Sequence, residues 1–283
     1  MTSIPFVKAS ACGNDFLIID GRNIDGRIND GRVNDGRNIN GSSGDGFHDA
    51  EMAALTRRIC DRHNGVGADG VEWLFPATDA DIHARLLNAD GSEAELSGNG
   101  TRCVAAYLCS ENPRDHVNIR TGAGIKRCTL TSHNETEFEF EIAMGRPQVD
   151  GELSIKTAFG EPGISDSMGN PHFVIFVDDF AVDWQIHAAE IGKHHRFKHG
   201  INLELVRVRD KANLDVRLYE RGVGETQSSG TGSSAAAVAS VFTKRAESPV
   251  RVHAPGGAQT VRWEGEVFLR GPARIICRGE FLI

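Results

Sequence analysis

Two serines, Ser97 and Ser229, each open a segment that could set a hydroxyl at the mouth of a helix. The first reads Ser97-Gly98-Asn99-Gly100-Thr101-Arg102-Cys103, the second Ser229-Gly230-Thr231-Gly232-Ser233-Ser234, and each leads into an alanine-rich stretch. Small residues ahead of a helix let its free N–H groups approach a ligand, and the helix dipole favours an anion there. Two such starts aimed at one point suit a small carboxylate. They would also stabilise the enolate-like charge that builds when the proton beside that carboxylate is removed. Neither segment is a phosphate loop, since no Gly-Lys-Ser/Thr follows, and neither completes a dinucleotide fingerprint. Taken singly, either is also compatible with an ordinary glycine-rich helix start.

Other residues could serve the same chemistry. Asn14, Asn88, Asn170 and Asn202 fall at element ends, where they either bind amino and carboxylate groups or cap turns. Glu220-Arg221 is a charge pair for an ammonium and a carboxylate, or a solvated strand end. His172, after Gly169-Asn170-Pro171, is a base candidate for a serine or a buried, hydrogen-bonded residue; Glu225 is a second base candidate. The six cysteines show no CxxC pair and no zinc spacing, so reduced, mostly buried thiols and no metal are expected. Cys12, directly before Gly13-Asn14, is a candidate substitute thiol.

The elements that must hold these groups read as an α/β chain. Apolar runs predict strands at 16–20, 71–75, 82–87, 173–177, 202–208 and 214–219, with alternating strands over 117–144 and further strands from Val250 onward. Helical spacing covers 49–60, 101–109, 183–191 and 234–243. A Gly-Asn strand start and a Ser-Gly-x-Gly helix start recur in the same order in each half. That is an internal duplication, and it predicts two pseudo-symmetric lobes with the site in the cleft between them. The expected division is 1–130, completed by a strand at 273–283, against 131–272. Four tandem pentads from Asp20 to Ile39 are too short for any solenoid unit, and 20–48 reads as a mobile surface insertion.

Composition narrows the classes. At 283 residues, with 40% hydrophobic and 25% charged residues, the chain can build two cores. A net charge of −8 without a basic stripe argues against nucleic acid and anionic membranes. No apolar run reaches 18 residues and the N-terminus lacks signal-peptide order, so a cytoplasmic protein is expected.

The motifs together resemble the diaminopimelate epimerase family, within the cofactor-independent racemases and epimerases that include proline racemase-like enzymes. The matching pieces are Gly13-Asn14-Asp15-Phe16, Arg62-His63-x-Gly65-Val66-Gly67-x-Asp69, Asn88-Ala-Asp-Gly-Ser-Glu93, Gly98-Asn99-Gly100-x-Arg102-Cys103, Met168-Gly-Asn170-Pro-His172, Asn202, and Glu220-Arg221-Gly-x-Gly224-Glu225-Thr226. The resemblance implies two lobes, each a mixed sheet wrapped around a central helix, no cofactor, a small amino-acid substrate and a homodimer. It implies that Gly98-Asn99 and Gly230-Thr231 hold a substrate carboxylate. Asn14, Asn88, Asn170, Asn202, Glu220 and Arg221 would hold the distal end of a diamino diacid, in the conversion of LL- to meso-diaminopimelate on the way to lysine. The family's two catalytic cysteines fall at Ser97 and Ser229.

That substitution matters energetically. A thiol of pKa near 8.5 ionises at pH 7 for about 2 kcal/mol, whereas an alcohol near 15.7 costs about 12 kcal/mol. Helix dipoles contribute up to about 2 kcal/mol each. A serine therefore acts as a base only with a partner that takes its proton. Two alternatives stand beside the epimerase: an isomerase or dehydratase of the same fold with a His or carboxylate base, and an amino-acid-binding homologue without turnover.

Overall fold

The computed structural model describes residues 3–23, 48–155, 157–159, 162–180 and 183–283. The pentads beyond Asn23 lie outside the described residues. The chain divides into two compact units, 1–138 with 273–283 and 139–272.

The first unit runs β1 (Ser3–Ala11), β2 (Asn14–Asp20), α1 (Asp49–Cys60), β3 (Gly70–Phe75), β4 (Ile82–Asn88), β5 (Glu93–Ala94), α2 (Gly98–Glu111), β6 (His116–Thr121) and β7 (Gly124–Asn134). β8 (Glu137–Gly145) begins in it. The second unit continues with β9 (Gln148–Leu153), β10 (Gly163–Ser167), β11 (Pro171–Phe176), α3 (Trp184–Gly192), β12 (Asn202–Asp210), β13 (Asn213–Glu220), β14 (Gly224–Thr226), α4 (Gly230–Phe242), β15 (Val250–Ala254) and β16 (Gly257–Glu264). β17 (Glu266–Leu282) starts there and returns to the first unit.

The two units repeat one pairing pattern. In the first, β1–β2 is antiparallel, β2–β3 parallel, β3–β4 antiparallel, β4–β5 antiparallel, β4–β6 parallel and β6–β7 antiparallel. In the second, β10–β11, β11–β12, β12–β13, β13–β14, β13–β15 and β15–β16 follow the same sequence of directions. The duplication read from the sequence is thus a duplication of topology. The parallel steps cross over through α1 and α2 in the first unit and through α3 and α4 in the second, as parallel pairing requires.

Each mixed sheet wraps one helix. α2 packs on β1, β2, β4, β6 and β7, and α4 on β10 to β13, β15 and β16. Both helices are apolar or small nearly all round, which suits a helix buried on every side. In α4, Ala235 to Ala239 join Ile164, Val174, Val206, Val216, Val252 and Val261 in one core. The outer face of the first sheet is covered by α1, whose Met52, Leu55 and Ile59 pack with Leu17, Ile19, Val71 and Trp73. On the corresponding face of the second sheet, α3 contributes Trp184, Ala188 and Ile191.

Both central helices start earlier than their composition suggests, at Gly98 rather than Thr101 and at Gly230 rather than Ser234. Their glycines are weak helix formers, but the preceding serine caps the first turn and anchors it. β1, β9 and β10 were not legible in the sequence, being short or broken in their alternation. Among the described residues, no helix is long and apolar enough to cross a membrane.

Candidate active site

Ser97 and Ser229 are the N-caps of α2 and α4. Each takes extended backbone geometry and accepts, on Oγ, the N–H of the third helical residue: Gly100 at 3.1 Å and Gly232 at 3.2 Å. Each backbone carbonyl accepts the next N–H, from Thr101 at 2.8 Å and Ser233 at 2.9 Å. Each hydroxyl oxygen thus accepts one backbone N–H; the Ser97 hydroxyl keeps its own hydrogen for donation, while the Ser229 hydroxyl also faces Thr231 Oγ1.

Behind each cap lies a buried glutamate. A Cβ added to Gly100 would stand 2.1 Å from Glu72 Oε1 and 3.3 Å from Ser97 Cβ; one on Gly232 would stand 2.9 Å from Glu204 Oε1 and 3.2 Å from Ser229 Cβ. Glycine at these two positions is what gives the carboxyls room against the helix. The strand registers make the glutamates equivalents. Phe16 pairs with Gly70 and Ile18 with Glu72 in the first unit; His172 pairs with Asn202 and Val174 with Glu204 in the second. Asn14 then corresponds to Asn170, and Phe16 to His172. Asn88 and Glu220 both precede their serines by nine residues.

Around α4 the polar groups form a connected set. His172, 1% exposed, places Nδ1 2.7 Å from Glu204 Oε1 and Nε2 3.0 Å from Asn170 Oδ1. With Nε2 donating to Asn170 Oδ1, Nδ1 lies within hydrogen-bond distance of the Glu204 carboxyl. Burial pushes the Glu204 carboxyl up, His172 pulls it back, and Glu220 raises it further. Asp166, opposite His172 in the β10–β11 register, is pushed up to about 9 by burial, with Glu204 and Asp150 adding to it. Both Asp166 oxygens, Glu204 Oε2 and Ser233 Oγ are buried without a hydrogen-bond partner among the described residues.

The remaining second-unit residues close around the same strand ends. Asn170 Nδ2 donates to Thr231 Oγ1 at 3.5 Å, and Thr231 Oγ1 lies 3.4 Å from Ser229 Oγ. Asn202 donates to the Pro171 carbonyl at 3.0 Å and accepts the Arg221 N–H at 3.0 Å. Glu220 accepts Thr226 Oγ1 at 2.8 Å, and burial raises its carboxyl. The Arg221 guanidinium turns to the His199 carbonyl at 2.9 Å. Glu225 is exposed and receives Gln185 at 3.1 Å. The ring nitrogens of His172 are engaged by Glu204 and Asn170 rather than by a serine.

In the first unit, Asn14 donates to Asp69 at 3.0 Å and accepts Asn99 Nδ2 at 2.7 Å, while Asn99 Oδ1 accepts the fully buried Arg102. Asn88 donates to Ser92 Oγ at 3.0 Å. Cys12, at φ 48° in the β1–β2 turn, is buried with its thiol beside Arg102 at 3.8 Å, and burial raises its pKa despite that cation. It is a poor substitute nucleophile on that count. Gly98 is open, with nothing within 4 Å of an added Cβ, whereas Gly230 would meet Leu269 at 3.1 Å.

Sequence reasoning missed Glu72, Asp166 and Glu204. The available signal was an acid inside an otherwise apolar strand, as in Val71-Glu72-Trp73-Leu74-Phe75 and Asn202-Leu203-Glu204-Leu205-Val206. A buried acid so placed is costly unless something uses it.

Comparison with known proteins extends the geometry. Among solved structures, a phenazine biosynthesis protein of the PhzF family from Bacillus anthracis superposes with a TM-score of 0.68 at 16% identity, covering 100% of both chains. A hydroxyproline epimerase from Agrobacterium vitis gives 0.62 at 15%, covering 99% of this chain and 91% of that one. These two establish the fold. In sequence, the diaminopimelate epimerase of Halothermothrix orenii is 32% identical over 99% of this chain and 98% of its own, and that of Pelotomaculum thermopropionicum 34% identical over 98% of each. The family description diaminopimelate epimerase matches residues 6–149 and 164–276. With two duplicated units and paired serine-capped helices already in place, the chain belongs to the diaminopimelate epimerase family.

Proposed function

We propose that the protein is an isomerase that epimerises LL-diaminopimelate to the meso form without pyridoxal, with Ser97 and Ser229 in the two acid/base positions. The observation that carries this reading is the duplicated helix start: a capping serine, a glycine three residues on, and a buried glutamate against that glycine. The backbone N–H groups at Gly98-Asn99 and Gly230-Thr231 take the substrate carboxylate. Asn14, Asn88, Asn170, Asn202, Glu220 and Arg221 take the distal amino-acid end. Removing the α-proton leaves charge on the carboxylate side, which the helix N-termini stabilise.

A serine makes this step harder than a thiol would. Ionising an alcohol at pH 7 costs about 12 kcal/mol, so the hydroxyl must pass its proton on as it accepts another. In the second unit, His172 and Glu204 are the groups assigned to that relay. Asn170 orients His172, and burial raises the Glu204 carboxyl, so it holds a proton more readily than an exposed glutamate.

Incubating the protein with LL-diaminopimelate in D₂O tests the reading. Deuterium at the α-carbon together with meso product is expected, and both should be lost in Ser97→Ala and in Ser229→Ala. Tight binding of the amino acid with neither exchange nor product would overturn it in favour of a binding protein. The buried His172–Glu204 pair favours one second reading, an isomerase or dehydratase with the pair itself as base. Release of water from a hydroxy-amino acid, or a shifted double bond, would identify that.

A further inference from the structure

We infer that Glu72 is the proton acceptor behind Ser97: a positioning residue on β3 that takes the serine's hydroxyl proton as the hydroxyl draws the α-proton from substrate. The inference rests on the reading of Ser97 as an acid/base position and names the group that makes a serine workable there.

Three observations support it. The strand registers place Glu72 where the second unit places Glu204, each with its Oε1 against the third residue of a serine-capped helix. Glu72 is 3% exposed and makes no hydrogen bond or ion pair among the described residues. Its strand partners are Ile18 on β2 and Leu86 on β4, so the packing of the sheet asks for an apolar side chain, not an acid. The helix start is therefore bordered by a hydroxyl with an uncommitted hydrogen and a carboxyl without a partner. Glu72 Oε1 and Ser97 Cβ flank the same small volume beside Gly100.

The step balances. The Cα–H bond breaks with its electron pair left on carbon; the proton forms a new O–H bond on Ser97 Oγ; the original Ser97 proton passes to the Glu72 carboxylate. Serine stays neutral throughout, and Glu72 changes from carboxylate to acid. In the reverse direction the acid returns its proton through the same hydroxyl.

The neighbours of Glu72 leave its titration its own. Burial alone pushes it up to about 8. From α2, Cys103 faces it with a thiol that burial keeps protonated, while Arg102 is turned to Asn99 and Cys12. From β2, Asp20 on the same face is tied to Arg22 and Tyr107. β4 presents Ala84 and Leu86 on that face.

Deuterium wash-in at the α-carbon of LL-diaminopimelate, followed by NMR from pH 5 to 10 for wild type, Glu72→Gln and Glu72→Asp, tests the inference. In wild type, kcat/KM should rise with pH through a limb near 8, as Glu72 becomes the carboxylate. Glu72→Gln should lower kcat by about 100-fold or more with KM within about twofold, and remove that limb. Glu72→Asp should keep the limb at a reduced rate. A Gln variant with wild-type rate and pH profile overturns the inference alone; a wild type that exchanges nothing overturns the reading of Ser97 and this inference with it. A carboxyl-labelled wild-type protein gives a check without turnover. The Glu72 resonance should titrate far above an ordinary glutamate, and its midpoint should move in Ser97→Ala. An unmoved midpoint overturns the link to Ser97.

Discussion

Behind Ser229 the second unit gathers Glu204, His172 and Asp166, with the imidazole shared between Glu204 and Asn170. Behind Ser97 the first unit sets Glu72 among Ile18, Leu86 and Phe16, with no imidazole at the corresponding position. The two frames share strand order, register and helix cap, so the backbone is not what separates them. A single exchange at the Phe16/His172 position decides whether the buried glutamate has a partner. Duplication here preserved geometry while the neighbours of the buried glutamate diverged, and proton affinity in a packed sheet depends on such neighbours.

The largest test of that contrast is on turnover. Ser97→Ala and Ser229→Ala should each lower kcat by about 10³-fold, and the double variant should be little worse than either, because residues acting as a unit are not additive. Steady-state kinetics in both directions would measure this. A loss confined to one serine would break the symmetry of the two starts.

Next is the imidazole. His172→Phe makes the second unit resemble the first and strands Glu204. We expect a loss of about 3 kcal/mol at pH 7 by urea unfolding, as for breaking a buried pair. The sign with pH follows from Glu204 being raised in the folded state. The native protein keeps a proton that the unfolded carboxylate releases above about 4.3. Stability therefore falls as pH rises toward the folded value, and the variant's deficit narrows in acid.

Glu72→Gln should act in the opposite direction on stability. With a folded value of about 8, Glu72 contributes its stabilisation as the neutral acid and loses it as pH rises through that value. The variant should gain about 4 kcal/mol at pH 8 and next to nothing at pH 4. Equal unfolding midpoints at both pH values would show that Glu72 is not buried as an unpaired acid. The smallest effect belongs to the first helical residue. Gly98→Ala, facing open space, should change stability by less than about 0.5 kcal/mol. Gly230→Ala, against Leu269, should cost about 1 kcal/mol. Thermal unfolding separates the two.

Much of the frame was legible. The repeated Gly-Asn and Ser-Gly-x-Gly signals located both helix starts, because small residues and a capping hydroxyl have strong local consequences. Alternation exposed β12 and β13, whose hydrophobic periods are long enough to register. β1 was missed, since Lys8 and Ser10 interrupt its apolar order, and its place depends on a partner strand more than 260 residues away. The buried acids were missed for a related reason. Glu72 and Glu204 look like solvated residues until the sheet turns their faces toward α2 and α4. The sequence places His172 just ahead of a strand at 173–177, whereas β11 already begins at Pro171, and the commitment of His172 to Glu204 is a product of the parallel β11–β12 pairing, which no local pattern encodes.

The return of β17 has a consequence for synthesis. β1 pairs with it from Ser3↔Leu282 to Ser10↔Arg274, and only β2 covers the other side. A ribosome adds residues at roughly 5–20 per second, so one edge of β1 waits on the order of tens of seconds while the whole second unit is made. During that interval the nascent edge is a template for the wrong strand. Pro5 removes one donor from it and Lys8 adds a charge, two features that discourage such pairing until the last strand emerges.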